Sequence, residues 1–321
     1  MLITLIGIQQ HYQIQKVAEA LHGLGADAMV VDVTVPKQIE IGTCVDGIFC
    51  RYDGRDLRDS RVIWQCLKQS LSPFGQSEEW LANYVNGTQW SSVLYNLMMA
   101  SRRQIKVIND PVATMVSSYK LDQLQTAQRL GMAVPASFIS NSLGAIGKAF
   151  DADIPLITKA LGNPQIPQIR DGVVSQTVIT TSRVDRGLLQ GAEFDLDPHP
   201  SFIQAEVGKR YEIRTVAVGE HFFSCKIDSH QHKIMELDYR MGVAMVDYQP
   251  MATPDAIRTF AAAYLAHYGL TSGSFDFIVD RQGDLIFLEC NPEGIWGILD
   301  KTYQGAVAAA FAETLLSHAR D

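Results

Sequence analysis

The sequence contains no CxxC pair. Its five cysteines, Cys44, Cys50, Cys66, Cys225 and Cys290, are odd in number and far apart. That argues against a disulfide framework and a cysteine-based zinc site, and it points to a reducing cytoplasm. No run approaches the roughly 20 apolar residues that a membrane span needs. The opening MLITLIGIQQ lacks a basic leader, so it reads as a buried first strand and not as a signal peptide. Positive charge is in deficit: 27 Lys and Arg stand against 35 Asp and Glu, for a net charge of −8. A broad nucleic-acid-binding face is therefore not expected, although a local basic pocket is allowed. The first turn region offers only Gly7, so there is no dinucleotide fingerprint. Internal repeats and low-complexity tracts are also absent.

What remains is an ordinary globular composition, 47% hydrophobic and 19% charged over 321 residues, long enough for two or three domains. Residues 1–110 read as a small α/β unit. Leu2–Ile8 and Ala28–Val33 are buried strands, with an amphipathic helix over Gln13–Leu24 between them; Asp46–Tyr52 is a third strand. Strand–helix–strand units of these lengths imply parallel pairing. Trp80–Arg103 is a long helix, and Ile105–Ile108 a short strand stopped by Asn109-Asp110-Pro111. Leu121, Leu124, Ala127 and Leu130 mark an amphipathic helix ended by Gly131. The stretch from Ala160 to Asp171 reads as a loop. Val173–Thr181 and Phe202–Val207 are strands, and Tyr211–Val218 pairs with His221–Ile227 as a hairpin. Thr253–Tyr268 and Ala306–His318 are helices.

The stretch Ser272–Asp300 carries the clearest chemistry. Ser274–Val279 and Leu285–Cys290 are strands, and DRQGD between them is a hairpin turn. A turn centred on Gln282–Gly283 sets Asp276 opposite Glu289. Asn291, two residues further on, shares the face of Glu289. Two carboxylates and an amide oxygen on one face are costly to bury unless a positive charge sits on them. Hard oxygen ligands suit Mg2+, which takes its remaining ligands from phosphates and water, so a Mg–nucleotide site is the first reading. The competing reading makes these residues outward members of an exposed hairpin. The apolar Phe275, Phe277, Ile286, Phe287 and Leu288, and the abrupt Asn291-Pro292 stop, favour a site.

Two lysines stand out as possible counterparts. Lys120 opens a helix, where a cation opposes the dipole and calls for an anionic partner. Lys159 terminates the apolar strand Ile154–Lys159 and is placed to enter a cleft. His230 and His232 lie two apart but belong to the polar stretch SHQHK, which is not read as a metal pair.

The order of these motifs resembles the ATP-grasp ligases: YKLDQLQTAQRLGMAVP, PLITK, FIQAEV, YEIRTVAVG, FDF and FLECNP, over residues 105 to the end. Within that superfamily the chain most resembles the graspetide, or microviridin-type, synthetases, through YEIRTVAVG with FFSCKIDSH, DYR at Asp238–Arg240, and LECNPEGIW. The first domain is similar in order but weaker in detail. The resemblance implies an α/β (α+β) ATP-grasp fold, with an N-terminal domain over 1–110, a central subdomain over 111–205 and a C-terminal subdomain over 206–321. It implies ATP and Mg2+ as cofactors, a precursor peptide as substrate and partner, and a homodimer.

By the same resemblance, Lys120 and Lys159 hold phosphates, and Asp276, Glu289 and Asn291 ligate the metal. Gln204, Glu206 and Val207 lie in the adenine hinge, where the family's usual glutamate position is Ala205. Glu212 takes the ribose side of the nucleotide. Arg214 shares the face of Glu212 on one strand and is a catalytic candidate for stabilising transferred charge. Arg240 is the candidate grip on the substrate carboxylate, against a surface ion pair with Asp238 or Asp247. Only Gly162 and Gly172 occupy the region of the family's Gly-rich phosphate loop. The implied reaction activates a carboxylate as an acyl phosphate for attack by a hydroxyl or amine. The alternative is a C–N ligase similar to ribosomal-protein glutamate ligases or glutathione synthetase, and a third is a nucleotide-binding scaffold without activity.

Overall fold

A computed structural model of the chain describes residues 1–321 except 36, 46, 68–79, 163–164, 171–172, 190–195, 232–234, 243–244 and 321. Five sheets organise it. The first is parallel, in the spatial order Asp27–Asp32, Leu2–Gly7, Val62–Gln65, Lys106–Ile108. Its centre is expected to be apolar on both faces, and Ile3, Leu5, Ile6, Val62 and Ile63 are wholly buried. The expected third strand differs from this. Gly47–Tyr52 pairs antiparallel with Ile39–Cys44 and Arg55–Asp56 in a separate small sheet. The parallel position belongs to Val62–Gln65, a four-residue strand too short to carry a period of its own.

The segment read as a loop after Lys159 also contains a strand. Gln165–Arg170 pairs antiparallel with Val173–Val178. A four-stranded antiparallel sheet runs in the order Ser182–Arg183, Leu156–Lys159, Leu196–Ala205, Ser137–Ser142. It is backed by the helix Leu143–Ala149 through Ile146, Phe150, Leu156 and Ile203.

The largest sheet has five antiparallel strands, in the order Tyr248–Met251, His221–Ile227, Lys209–Val218, Ser272–Asp280, Leu285–Asn291. On one face Ile213, Phe275, Phe277 and Phe287 pack against the helix Asp255–Tyr268. The Phe260 ring of that helix lies 5.2 Å from Phe287, 5.9 Å from Phe277 and 6.3 Å from Phe275, in tilted or edge-on contacts that suit aromatic quadrupoles. The other face changes character along its length. Val216 and Val218 pack against Trp64, Phe311 and Leu315, which join the parallel sheet and the helix Ala306–Arg320 into one core. Two residues earlier, on the same side of the same strand, stand Arg214 and Glu212.

Asn109 fastens the first sheet to the last hairpin. Its amide nitrogen donates to the carbonyls of Ser272 and Pro292, both at 2.9 Å. Its Oδ1 accepts from the backbone N–H groups of Thr271 and Ser272 at 2.8 and 3.1 Å. Gln123 does the same from the other side, donating to Cys290 O at 3.0 Å and accepting from Cys290 N at 2.9 Å. Each thereby pairs backbone groups that would otherwise be buried and unmatched. Replacing Asn109 by Ala leaves those groups unpaired, and we expect the apparent melting temperature to fall by roughly 4–8 °C. The exposed Asn96→Ala control, which removes one bond to Ser92 O, should fall far less; equal shifts in a thermal melt would refute the fastening role.

Candidate active site

The last hairpin pairs Asp276 with Glu289, Phe275 with Cys290 and Ser274 with Asn291. Nearer the turn the register differs: Phe277 faces Phe287 and Ile278 faces Ile286. Leu288 is therefore an extra residue, a bulge in the second strand. Directly opposed residues share a face, and a shift of one residue exchanges the faces. Without the bulge, Leu288 would face Asp276, and Glu289 would point with Phe275 into the aromatic core. The bulge delivers Glu289 to the side of Asp276.

Arg214 lies directly opposite Asp276 on the neighbouring strand, so Arg214, Asp276 and Glu289 form one row across three strands. Arg214 Nη1 donates to both Asp276 oxygens, at 2.8 and 2.9 Å, and to Tyr239 OH at 3.0 Å; its Nη2 donates to Ile295 O at 3.0 Å. Burial opposes charge on Arg214, but Asp276 and Tyr239 outweigh it and hold its pKa above the ordinary arginine range. The anionic partner called for by Lys120 is Glu289, 3.1 Å from its Nζ. Asn291 donates to the other Glu289 oxygen at 3.3 Å. Cys290, between these residues, is a buried thiol pushed well above its usual pKa by burial and then by the two carboxylates, so it is chemically inert.

Asp276 and Glu289 of this row line a cleft of about 110 Å³. Lys159 lines the opposite side on the four-stranded sheet. Its Nζ donates to Gln204 Oε1 at 2.9 Å, and Gln204 Nε2 donates to Ser137 Oγ at 2.9 Å. Gln204, 2% exposed, thus holds the lysine in place. Glu206 N is already bonded to Pro155 O, while the Glu206 carboxylate is gripped by Arg183 at 2.7 and 2.8 Å. Among the described residues, the Glu206 carbonyl and the Val207 N–H make no backbone hydrogen bond. Those two groups are what the hinge can offer a ligand.

Glu212 lies deeper, 5% exposed. One oxygen accepts from Lys209 at 2.7 Å. The other, Oε2, is buried without a hydrogen bond of normal geometry, although the Ser229 hydroxyl lies near enough to favour the charged form. Burial raises the Glu212 pKa, and the neighbouring Lys209 only partly offsets this. An orphaned buried acceptor of this kind fits a ligand that brings hydroxyl donors.

The expected residues Lys159, Gln204, Glu206, Val207, Glu212, Asp276 and Glu289 all line the cleft; Lys120, Arg214 and Asn291 join it through the bonds above. Arg240 follows Tyr239 in a 3-10 turn, but its side chain lies outside the described part of the structure, as do Gly172 and His232. His230 Nε2 donates to Lys209 O at 3.0 Å, and Lys226 lies over the Tyr211 ring at 4.8 Å. Sequence reasoning passed over Lys209, Arg183, Tyr239 and Leu288. Only Lys209 left a trace, as a lysine three residues before a strand glutamate.

Two outcomes follow. Leu288→Ala keeps the extra residue, whereas deleting Leu288 forces either Glu289 into the phenylalanine cluster or Phe287 out of it. The deletion should lower the melting temperature several-fold more than the substitution, and similar shifts would show that the bulge does not set the face. For Glu212, a raised folded-state pKa means that its contribution is complete below the ordinary carboxyl value and is lost as pH rises through the raised one. Glu212→Gln should therefore lose less stability than the parent protein as pH rises above the ordinary carboxyl range of about 4. Parallel melting curves over that rise would contradict the assigned shift.

No family model and no curated protein sequence matches the chain. Solved structures do. A RiPP-associated ATP-grasp ligase of Chryseobacterium gregarium, in complex with ADP and a leader and core peptide, superposes with a TM-score of 0.83 at 19% identity, over 99% of this chain and 97% of that one. The macrocyclase MdnC of Microcystis aeruginosa, bound with precursor peptide MdnA, gives 0.81 at 20%, over 99% and 100%. The ATP-grasp ligase PsnB, complexed with minimal precursor, Mg and ADP, gives 0.74 at 15%, over 99% and 98%. The chain has the ATP-grasp fold of these ligases along nearly its whole length.

Proposed function

We propose that the protein is an ATP-dependent ligase that activates a carboxylate of a ribosomal precursor peptide and joins it to a hydroxyl or amine of the same peptide. The observation that carries this reading is the convergence of Lys159, Glu212, Asp276 and Glu289 on one cleft in a fold shared with peptide-bound ATP-grasp ligases. The complexes of those ligases with ADP and with Mg support ATP and Mg2+ as the cofactors here. The buried thiols of Cys50, Cys66, Cys225 and Cys290 support a cytoplasmic setting.

The residues present fit these groups. The Glu206 carbonyl and Val207 N–H offer an acceptor and a donor to adenine, and Glu212 Oε2 offers an acceptor to a ribose hydroxyl. Lys120 and Lys159 reach the phosphates from two different elements. Asp276, Glu289 and Asn291 supply the hard oxygens that suit Mg2+; when bound, the ion offsets charge on the phosphate oxygens.

Attack of a carboxylate on the γ-phosphate brings two anions together, so catalysis is positioning and charge neutralisation. The substrate carboxylate forms a bond to phosphorus as the bond to ADP breaks. Arg214, fixed by Asp276, Tyr239 and Ile295, holds a cation at that end of the row, and the family resemblance assigns the grip on the incoming carboxylate to Arg240. The nucleophile then attacks the acyl carbon, loses its proton and releases phosphate. The product is an ester or an amide, and one water is lost per linkage.

The protein should be incubated with ATP, Mg2+ and a precursor peptide rich in Thr, Ser, Asp and Glu. ADP release with loss of the mass of one water per crosslink is the expected result. Mass gained from a free amino acid would instead favour the C–N ligase. Asp276→Asn and Glu289→Gln should each lower turnover on the order of 100-fold or more; Asp276→Asn also leaves the buried Arg214 without its counterion and should lower the melting temperature as well, and full activity in both would remove the metal assignment.

A further inference from the structure

The two hairpin carboxylates each have a cation, but the two cations are held differently. Arg214 is anchored on three sides, by Asp276, Tyr239 OH and Ile295 O. Its guanidinium is a fixed part of the wall. Lys120 is not fixed in this way. Among the described residues its Nζ has one hydrogen-bond partner, Glu289 Oε2 at 3.1 Å, and the two side chains are 23% and 19% exposed. The lysine also sits on the first turn of its helix, where the dipole repels it. A compact charge on a flexible four-carbon stem, with one partner and an unfavourable base, is easily transferred to a stronger anion.

With Lys120 on Glu289 and Arg214 on Asp276, the cluster is formally neutral. Asn291 occupies the remaining Glu289 oxygen. A neutral cluster offers little to Mg2+, which dehydrates reluctantly and is held mainly by carboxylates and phosphates. We propose that Lys120 is an exchangeable counterion: it neutralises Glu289 while the cleft holds no nucleotide and moves to the phosphates when nucleotide binds, so that the metal site is completed only by the nucleotide. This rests on the nucleotide–metal reading of the cleft. The phosphates contribute twice, once as metal ligands and once by drawing Lys120 off the carboxylate. Loading is then ordered, with the divalent ion arriving on or after the nucleotide and not before it.

Mn2+ is a suitable probe, with the free ion followed by electron paramagnetic resonance in the absence of nucleotide. The parent protein should bind Mn2+ weakly. Lys120→Met should bind it about tenfold more tightly, and adding Glu289→Gln to that variant should abolish the gain. Arg281→Met removes a like charge from the lining of the same cleft at a residue that takes no part in the Lys120–Glu289 pair, so it should behave as the parent does. Lys120→Arg, which keeps a cation on Glu289, should also stay weak. Melting curves establish that each variant is folded, and Lys120→Gln serves if Lys120→Met is not.

Equal Mn2+ affinity in Lys120→Met and the parent would overturn the exchange. So would an equal gain in Arg281→Met, which would reduce the effect to general cleft charge. A separate arm tests the reading beneath it. Parent protein with ADP should retain more Mn2+ than ADP alone does. If it does not, the nucleotide–metal assignment itself fails, irrespective of what Lys120 does.

Discussion

Two like charges on adjacent strands of a buried hairpin set the terms for the rest of the site. Asp276 and Glu289 face one another directly, share one side of the sheet and are largely withdrawn from water. Such a pair is unstable unless cations neutralise it. The neighbouring strand supplies Arg214 in the same row, and a helix from a different part of the chain supplies Lys120. The row is then a chain of alternating sign, formed by residues far apart in sequence. Removing a cation leaves a buried charge without compensation, which costs more than the ion pair itself contributes.

The opposite face of the same hairpin makes this arrangement affordable. Phe275, Phe277 and Phe287 are wholly buried against Phe260 and Tyr264. Their packing fixes the strands in position and in register, so the carboxylates have little freedom to separate. Glu289 reaches the row only because Leu288 adds one residue to the strand. The aromatic core and the charged row thus depend on the same bulge. A regular hairpin would satisfy one of them at the expense of the other.

Much of this was legible in the residues, and what was not has identifiable causes. A turn centred on Gln282–Gly283 predicts that Asp276 faces Glu289, and the structure has that pairing for a different reason: the strands next to the turn are centred on Gln282, and the extra residue Leu288 restores the opposition. The bulge was not legible, because an apolar run such as Leu285–Leu288 gives no alternation from which to count. The cation at the start of the Lys120 helix announced a missing anion, but its identity lay 169 residues away. In the first domain, Val62–Gln65 was missed because four residues carry no period, and Gly47–Tyr52 took its place because a strand's composition does not reveal its neighbours. Of the hairpin after Lys159, the strand Val173–Val178 is legible but Gln165–Arg170 reads as loop, because its apolar residues Ile166 and Ile169 stand three apart, out of strand period, with Pro167 between them. Arg183 escaped because its partner, Glu206, is displaced by one residue from the position that the family resemblance called to attention.

The strand Lys209–Val218 shows why the cleft is where it is. Glu212, Arg214, Val216 and Val218 point to the same side, two residues apart. The last two are sealed by Trp64, Phe311 and Leu315, and the first two are left facing an opening. The border falls between Arg214 and Val216, where the parallel sheet and the terminal helix end their cover. A charged side chain one position pair further along would be buried in that core without a partner; an apolar one at Arg214 would leave Asp276 uncompensated. The polar-to-apolar switch within a single strand therefore fixes the depth of the cleft. It also sets Asn109, which ties the end of the parallel sheet to Ser272 and Pro292, just behind the carboxylates. Through Asn109 the first sheet holds the turn that follows Asn291, so the rigidity of the candidate metal ligands originates partly in a sheet that contributes none of them.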